Sequence, residues 1–255
     1  MLKVYKYLPF SDGSKCILSS GTMKFSHYSD FNDPFDCRIS YDVDKSMEYF
    51  KSRPDIFKDA GKILKLSPAK RVQRKKQMLI GVQRSLESGV YHDSVISNVG
   101  ICCLTKKPDN ILMWSHYAEN HTGFVVEFTI DPNGQNLNMD NVEERLFGWD
   151  VIYNDTMPMV VAGTGTFDAV KDVFLTKSPE WKYESEYRVL GMNKGPGIHK
   201  FDQTTITKVI AGTKMSSDNY EELKLLVTEL SEKINIKIPL VKAKMVSGQY
   251  RLDTA

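Results

Sequence analysis

The chain lacks several features that would each assign it to a familiar class of protein. No apolar run approaches the roughly 18 residues that a membrane-spanning helix needs. The first residues do not combine a long apolar core with a small-residue cleavage site, so a signal peptide is not expected. No G-x-G-x-x-G or Walker loop is present, which argues against a Rossmann dehydrogenase or a kinase. We therefore expect a cytoplasmic globular protein with no membrane partner.

Cysteine is scarce and poorly arranged for cross-linking or metal binding. There are four cysteines among 255 residues, and Cys102 and Cys103 are adjacent in an apolar, strand-like run. A disulfide framework is therefore not expected. Neighbouring strand residues point to opposite faces, so Cys102 and Cys103 cannot easily reach one zinc ion shared with His116 and His121. We predict no metal site.

Acidic residues are absent from one stretch, although the whole chain is nearly balanced with a net charge of +2. From Lys62 to Arg84 there are eight basic residues and no acidic ones. A stretch of this kind attracts polyanions, such as nucleic acid or the phosphates of a nucleotide. A helix that simply keeps a charged face in solvent would have the same composition.

Periodicity along the chain predicts an α+β fold, in which a mixed or antiparallel sheet has flanking helices. We predict a single domain over 1–255, with a basic helical insertion at about 45–90, and loop or irregular structure over 131–148. The predicted strands include 2–7, 99–105, 124–130 and 206–211, and the predicted helices include 45–59, 68–88 and 217–234.

The most informative segment is Trp-Lys-Tyr-Glu-Ser-Glu-Tyr-Arg-Val-Leu at 181–190. Aromatic and branched residues alternate there with charged ones, which predicts a β-strand. Successive strand side chains point to opposite faces, so Glu184, Glu186 and Arg188 are expected to share one face. That face either lines a polar cleft or is a solvated face with a cross-strand ion pair.

Two other segments are rich in residues of the kinds that build sites. One lies near the N-terminus, and the other is a predicted helix and turn at 113–123. Their polar and aromatic residues can contact a ligand, or they can satisfy turn amides and fill the core instead. The candidates are Tyr5, Lys6, Tyr7, Ser26, Asn32, Asp36, Trp114 and His116.

Four motifs are specific enough to compare with known families. They are Tyr-Lys-Tyr at 5–7, Phe-Asn-Asp-Pro-Phe-Asp at 31–36, Ile-Leu-Met-Trp-Ser-His-Tyr-Ala-x-x-His-x-Gly-Phe-Val-Val-Glu-Phe at 111–128, and Lys-x-x-x-Trp-x-Tyr-Glu-x-Glu-Tyr-Arg at 177–188. In this order they resemble a bacterial family of uncharacterised proteins, domain of unknown function number 2971. That resemblance implies no settled activity.

A second resemblance implies chemistry. The opening strand, helix, glycine and second strand, which ends in Lys-Phe-Ser, is similar to the start of ADP-ribosyltransferases, including toxins that modify nucleic acid. Those folds pair a polar residue of the first strand and a Ser or Tyr of the second with a glutamate on a late strand, often within Glu-x-Glu. The resemblance implies an ADP-ribosyltransferase-like fold with NAD as the substrate.

The resemblance, taken together with the candidate residues named above, implies catalytic and NAD-binding roles. Breaking the bond between nicotinamide and ribose develops oxocarbenium character, which a fixed carboxylate stabilises. We predict that Glu186 does this and that Glu184 positions or deprotonates the acceptor. The predicted catalytic residues are Glu186, Glu184 and Ser26, and the predicted NAD-binding residues are Tyr5, Lys6, Tyr7, Asn32, Asp36, Trp114, His116 and Arg188.

The function expected from the sequence is an ADP-ribosyltransferase-like enzyme that uses NAD to modify RNA, DNA or protein. It would act as a bacterial toxin or anti-phage defence effector, with an antitoxin as partner. The alternative is a non-enzymatic nucleic-acid-binding module whose Glu-x-Glu-x-Arg strand is a structural ion-pair network. A hydrolase that uses Glu184 and Glu186 is less favoured, although their positions would lie about 7 Å apart along a strand.

Overall fold

The computed structural model describes residues 1–132, 144–192 and 194–255, and the chain divides into two compact units. The first unit consists of Met1–Asp30, Val99–Val151 and Pro179–Ala255, and the second of Phe31–Asn98 and Ile152–Ser178. Each unit therefore joins segments that are distant in sequence.

The first unit is mostly strands. Its strands are β1 (Leu2–Leu8), β2 (Thr22–Phe25), β4 (Gly100–Thr105), β5 (Phe124–Ile130), β6 (Gly148–Asp150), β10 (Glu186–Gly191), β11 (Gly197–Lys200), β12 (Ile206–Ala211), β13 (Leu240–Lys242), β14 (Lys244–Met245) and β15 (Leu252–Asp253). Its α-helices are α1 (Asp12–Ser19), α6 (Ile111–Tyr117) and α8 (Ser217–Ile234), and short 3-10 turns cover Tyr28–Asp30, Pro179–Glu184 and Gln203–Thr205.

Within the described residues, the main sheet of the first unit has seven strands in the order β13-β12-β5-β1-β4-β10-β6. Neighbouring strands are antiparallel, except for the parallel pair β12 and β13. Strands β1 and β5 pair along their whole length, from Leu2 opposite Ile130 to Leu8 opposite Phe124. A separate small sheet pairs β2 with β11.

The two faces of the main sheet carry different helices. One face packs its apolar residues, such as Val4 and Phe128, against α1 and α8. The other face packs Tyr5 and Tyr7 against α6, whose Trp114 is completely buried. Strand alternation explains the division, because successive residues of β1 point to opposite faces.

The second unit combines short strand pairs with a helical cluster. Its elements are β3 (Ser40–Tyr41), α2 (Val43–Ser52), α3 (Pro54–Ile63), α4 (Pro68–Glu87), α5 (Val90–Ile96), β7 (Ile152–Tyr153), β8 (Met159–Val160), α7 (Phe167–Leu175) and β9 (Thr176–Lys177). Phe50, Phe57 and Leu86 form the centre of its core. Helix α4 begins where the sequence indicates, since Ser67 caps the amide of Lys70 and Pro68 occupies the first turn.

The α+β class and the mostly antiparallel sheet with flanking helices are confirmed. An ADP-ribosyltransferase-like fold stays a prediction, and so does the organisation as a single domain. Helices α2, α3 and α4 cover most of the stretch that was predicted as a basic helical insertion. The predicted loop over 131–148 falls largely on residues 133–143, which lie outside the described residues. Among the residues described, no helix combines the length and the apolarity that a membrane crossing requires.

The strand prediction for 181–190 is wrong over its first half. Residues Pro179–Glu184 form a 3-10 turn, and β10 starts only at Glu186. Between them Ser185 adopts a left-handed conformation with φ of 46°, which interrupts the alternation of a strand. Glu186 and Arg188 therefore share a strand face as expected, whereas Glu184 is not a strand residue.

Core packing on α8 gives a direct test of the fold. Leu223 is 0% exposed in the core, whereas Leu225 on the same helix is 64% exposed. We expect Leu223→Ala to lower the free energy of unfolding by about 2–5 kcal/mol because it leaves a cavity. The control Leu225→Ala should change it by less than about 0.5 kcal/mol. Urea unfolding measures the two values, and equal effects would contradict the packing described.

Candidate functional site

Strand β4 joins three of the elements that carry predicted site residues. On one edge β10 pairs with it, with Glu186 opposite Thr105. On the other edge Tyr5 of β1 is also opposite Thr105, and Ser26, just after β2, pairs with Ile101. Tyr5, Thr105 and Glu186 thus lie in one row on one sheet face, and adjacent strands are spaced so that the outer two are about 10 Å apart.

The edge of β4 that faces β1 and Ser26 is divided between them. Strands β1 and β4 pair at a single position, and the Cys103 carbonyl beyond it accepts a hydrogen bond from Lys6 Nζ at 2.9 Å. Farther along, a Cβ on Gly100 would lie 2.2 Å from the carbonyl oxygen of Gly195 and 2.9 Å from Phe25 Cβ. Only glycine allows this approach, so Gly100 is the residue that lets β2 and the Gly195 backbone lie close to β4.

Glu186 and Arg188 form a buried ion pair within β10. Arg188 Nε donates to Glu186 Oε1 at 2.8 Å, and Arg188 Nη2 donates to Oε2 at 3.0 Å. Arg188 is 0% exposed and Glu186 is 4% exposed. Such a bidentate geometry fixes the carboxylate plane and favours its ionised form. It also offsets part of the negative charge of Glu186.

Glu184 is held just before the left-handed Ser185. Its side chain, 3% exposed, accepts a hydrogen bond from the Tyr117 hydroxyl at 2.7 Å. Its backbone carbonyl accepts one from the Thr105 hydroxyl. Asn110, which caps α6, donates to the carbonyl of Tyr183 at 2.8 Å. These contacts tie the start of α6 and the end of β4 to the Glu184 turn.

A cluster of partly or fully exposed rings, formed by His116, Tyr117, Trp181 and Tyr183, lies beside Glu184. The ring centroids are 6.3 Å apart for His116 and Tyr117, 6.5 Å for His116 and Tyr183, and 6.0 Å for Trp181 and Tyr183. Sequence reasoning had selected only His116 from this cluster. The adjacency of His116 and Tyr117 and the Trp-x-Tyr-Glu spacing were visible, but only tertiary contact brings the two segments together.

The side chains of Trp114, Tyr5 and Tyr7 are buried, although the sequence indicated contact with a ligand. Trp114 is 0% exposed, donates from Nε1 to the Pro108 carbonyl and packs edge-to-face on Tyr7, so it is a core residue and has no ring face open for stacking. Tyr7 donates its hydroxyl to the Lys107 carbonyl, and burial raises its pKa. Burial, followed by the charge of Glu127, raises the pKa of Tyr5 to about 12.

The residues of the turn after α6 are explained by the backbone conformation and the close packing of the turn. Glu119, Asn120 and His121 are all left-handed, and His121 stacks on Trp114 with its Nε2 3.2 Å from Ser115 Oγ. A Cβ on the following Gly123 would lie 2.1 Å from the Leu8 carbonyl oxygen. This turn, which supplies part of the conspicuous motif at 111–128, therefore brings the chain directly from α6 into β5.

An open cavity of about 320 Å³ lies at the Tyr5 end of the same sheet face. Among its lining residues are Lys3, Lys208 and Arg251, together with the buried Glu127. Glu127 accepts from Lys3 Nζ and Thr207 Oγ1, each at 2.9 Å. Although burial raises the pKa of Glu127, these hydrogen bonds outweigh it and leave the pKa below its usual value.

The cysteines, Asn32 and Asp36 are the other residues that the sequence singled out. Burial, and then the charge of Glu186, raise the pKa of the Cys103 thiol well above its usual value, so it is not an activated nucleophile. In the described parts of the chain, no group of three potential ligands could hold a metal ion. Asn32 and Asp36 belong to the second unit, where Asp36 forms a buried ion pair with Lys177 at 3.4 Å. Their NAD-binding role stays a prediction.

Comparison with known proteins supports one resemblance. Residues 113–189 match the family described as a protein of unknown function (DUF2971), which confirms the resemblance to that family over this segment. The matched segment includes α6 from its third residue onward, the aromatic cluster, Glu184, Glu186 and Arg188. No curated protein and no solved structure matches the chain.

The buried ion pair can be tested by its stability. We expect Arg188→Met to lower the free energy of unfolding by about 3–5 kcal/mol, because Glu186 then stays buried without the guanidinium. The double variant Glu186→Met/Arg188→Met removes both charges and should cost less than the single variant. Arg84→Met, which replaces an exposed arginine, should change the value by less than about 0.5 kcal/mol. A double variant at least as unstable as Arg188→Met would contradict this account of the pair.

Proposed function

We propose that the chain is an ADP-ribosyltransferase-like enzyme that uses NAD to modify a macromolecular acceptor. The observation that carries the proposal is the pairing around β4, where Tyr5, Ser26 and Glu186 all lie opposite residues of one six-residue strand. The ADP-ribosyltransferase resemblance requires a first-strand polar residue, a second-strand serine and a late-strand glutamate at one place. Tyr5 and Glu186 lie opposite the same residue, Thr105, which supports a common site for them on one sheet face. Ser26 lies opposite Ile101, about 14 Å farther along β4.

The reaction needs a fixed carboxylate beside the ribose. The bond from ribose C1′ to the nicotinamide nitrogen breaks, its electron pair leaves with nicotinamide, and C1′ bonds to an acceptor oxygen or nitrogen, whose proton passes to a base. In this proposal Glu186 stabilises the cationic ribose, and its hydrogen bonds with Arg188 support the role because they fix the carboxylate in one orientation. Because Arg188 offsets part of this charge, Glu184 is the second carboxylate to test.

The aromatic cluster supplies surfaces for the rings of NAD. His116, Tyr117, Trp181 and Tyr183 retain exposed area and adjoin Glu184 through the Tyr117 hydroxyl. Flat rings stack on such side chains with little loss of side-chain entropy. In this proposal the cluster, and not the buried Trp114, contacts the rings of NAD. The cavity at Tyr5 adds open space on the same sheet face.

The test is consumption of NAD and transfer of label from adenine-labelled NAD to total RNA, DNA or lysate protein. We expect Glu186→Gln to reduce transfer at least about 100-fold, since the transition-state charge loses its partner. Tyr117→Phe should reduce it less, because it removes only a hydrogen bond to Glu184. As a toxin or defence effector, the wild-type chain should also arrest growth of a host, and Glu186→Gln should not.

Folding must be separated from chemistry in this test. Glu186→Gln leaves Arg188 buried beside a neutral amide, so the double variant Glu186→Met/Arg188→Met serves as a second inactive form whose thermal unfolding is compared with the wild type. Glu222→Gln, which removes a surface carboxylate paired with Lys15, should keep full activity. Undiminished NAD turnover in a folded double variant would overturn the role given to Glu186. No turnover by the wild type with any acceptor would overturn the proposal as a whole and favour a non-enzymatic binding module.

A further inference from the structure

Helix α4 carries an exposed stripe of basic and amide side chains. The stripe consists of Lys70, Gln73, Arg74, Gln77 and Arg84, with Gly81 between the last two, and all six residues are exposed. Positions 70, 74, 77, 81 and 84 follow the three- and four-residue spacing that places side chains on one helix face. We call this set the α4 basic stripe.

The charges of the stripe pair with no acidic side chain among the residues that the structure describes. Within the described part of the chain, Lys70, Arg74 and Arg84 form no ion pair. Three further basic residues belong to α4. Arg71 donates to the Leu66 carbonyl, Lys75 lies over the Phe57 ring, and Lys76 is exposed. An array of like charges on one face raises the local positive potential, which only an external anion can offset.

The spacing of the stripe suits a chain of phosphates. At 1.5 Å per helical residue, Lys70 and Arg74 are about 6 Å apart along the axis, and Lys70 and Arg84 about 21 Å. On a duplex, 21 Å corresponds to about six base pairs at 3.4 Å each. Glutamine amides such as Gln73 and Gln77 also donate to phosphate and sugar oxygens. At Gly81 a Cβ would meet nothing within 4 Å, so the space above the backbone there is open.

A membrane surface is a poorer fit to this helix. Interfacial helices insert a free apolar face between lipids. The apolar face of α4, with Met78, Leu79, Val82 and Leu86, is already packed in the core of the second unit. The exposed side of α4 is mainly charged and amide, with Val72 and Ile80 as separate exposed apolar residues, and this matches a hydrophilic polyanion better than a lipid surface.

We propose that the α4 basic stripe binds the phosphodiester backbone of nucleic acid, without base specificity. The inference also makes nucleic acid the acceptor of the transferase, and in that respect it rests on the proposed function. The binding itself does not depend on NAD chemistry. RNA and DNA present the same phosphate backbone, and the experiment distinguishes them.

The test measures binding of the full chain to fluorescently labelled single-stranded RNA, single-stranded DNA and duplex DNA between 50 and 200 mM salt. Three phosphate contacts predict a fall in duplex affinity of about 40-fold over that range. The variant Lys70→Gln/Arg74→Gln/Arg84→Gln should bind at least about tenfold more weakly at low salt, and its dependence of log K on log salt should be shallower by about 2–3. Glutamine keeps helix propensity, so α4 should still form.

A matched control removes the same charge elsewhere. Lys224→Gln/Lys237→Gln/Lys244→Gln also subtracts three positive charges from exposed positions, all in the first unit. It should bind nucleic acid within about twofold of the wild type if the stripe, and not net charge, is responsible. Equal losses in the two triple variants, no binding by the wild type at 50 mM salt, or binding to anionic vesicles instead of oligonucleotides would overturn the inference.

The two proposals can fail separately. If the stripe variant loses binding and label transfer to nucleic acid but still hydrolyses NAD, both stand. If the wild type binds nucleic acid through the stripe but never consumes NAD, the proposed transferase falls and the binding surface remains. If NAD label moves to protein alone and the stripe variant binds oligonucleotides as well as the wild type does, the transferase remains and the stripe inference falls.

Discussion

The first unit depends on how strand β4 shares its two edges. One edge is fully paired with β10, from Gly100 to Thr105. The other is divided between Tyr5 of β1 and Ser26 after β2, and the Lys6 ammonium satisfies the Cys103 carbonyl in between. A buried carbonyl left without a donor would be costly, so Lys6 stabilises the divergence of the two strands. Residues remote in sequence become neighbours because of this division.

The ion pair on β10 shows how much a fixed buried charge constrains a fold. Glu186 and Arg188 are taken out of water, and their desolvation is offset only because the guanidinium meets the carboxylate in bidentate geometry. The left-handed Ser185 then turns Glu184 off the strand and toward Tyr117. Two glutamates that are two residues apart thus acquire different partners. Environments that differ in this way are what separate the roles of paired carboxylates in enzymes.

The second unit uses its charge in the opposite manner. Helix α4 buries one apolar face and keeps its basic stripe in solvent, where none of the described acidic side chains pairs with it. The buried charges of the first unit hold side chains in fixed positions and orientations, whereas the exposed charges on α4 attract anions over a long range. Salt screens buried charges much less than exposed ones, for which the screening length is about 10 Å at 0.1 M salt.

Much of the local structure followed from the sequence alone. Short strand-like runs in the sequence predicted β1, β4, β5 and β12, and the Ser67-Pro68 cap predicted the start of α4, because hydrophobic patterning and capping are local properties. The basic stretch from Lys62 to Arg84 could also be predicted, because the charge of each residue follows directly from its identity. Tertiary structure decided the rest. The start of β10 at Glu186 depends on a left-handed Ser185 that no pattern signalled, and the pairing of Tyr5, Ser26 and Glu186 with β4 depends on strand order. Trp114 became a core residue and Tyr117 a partner of Glu184 because contacts between distant segments, and not spacing within one segment, determine burial.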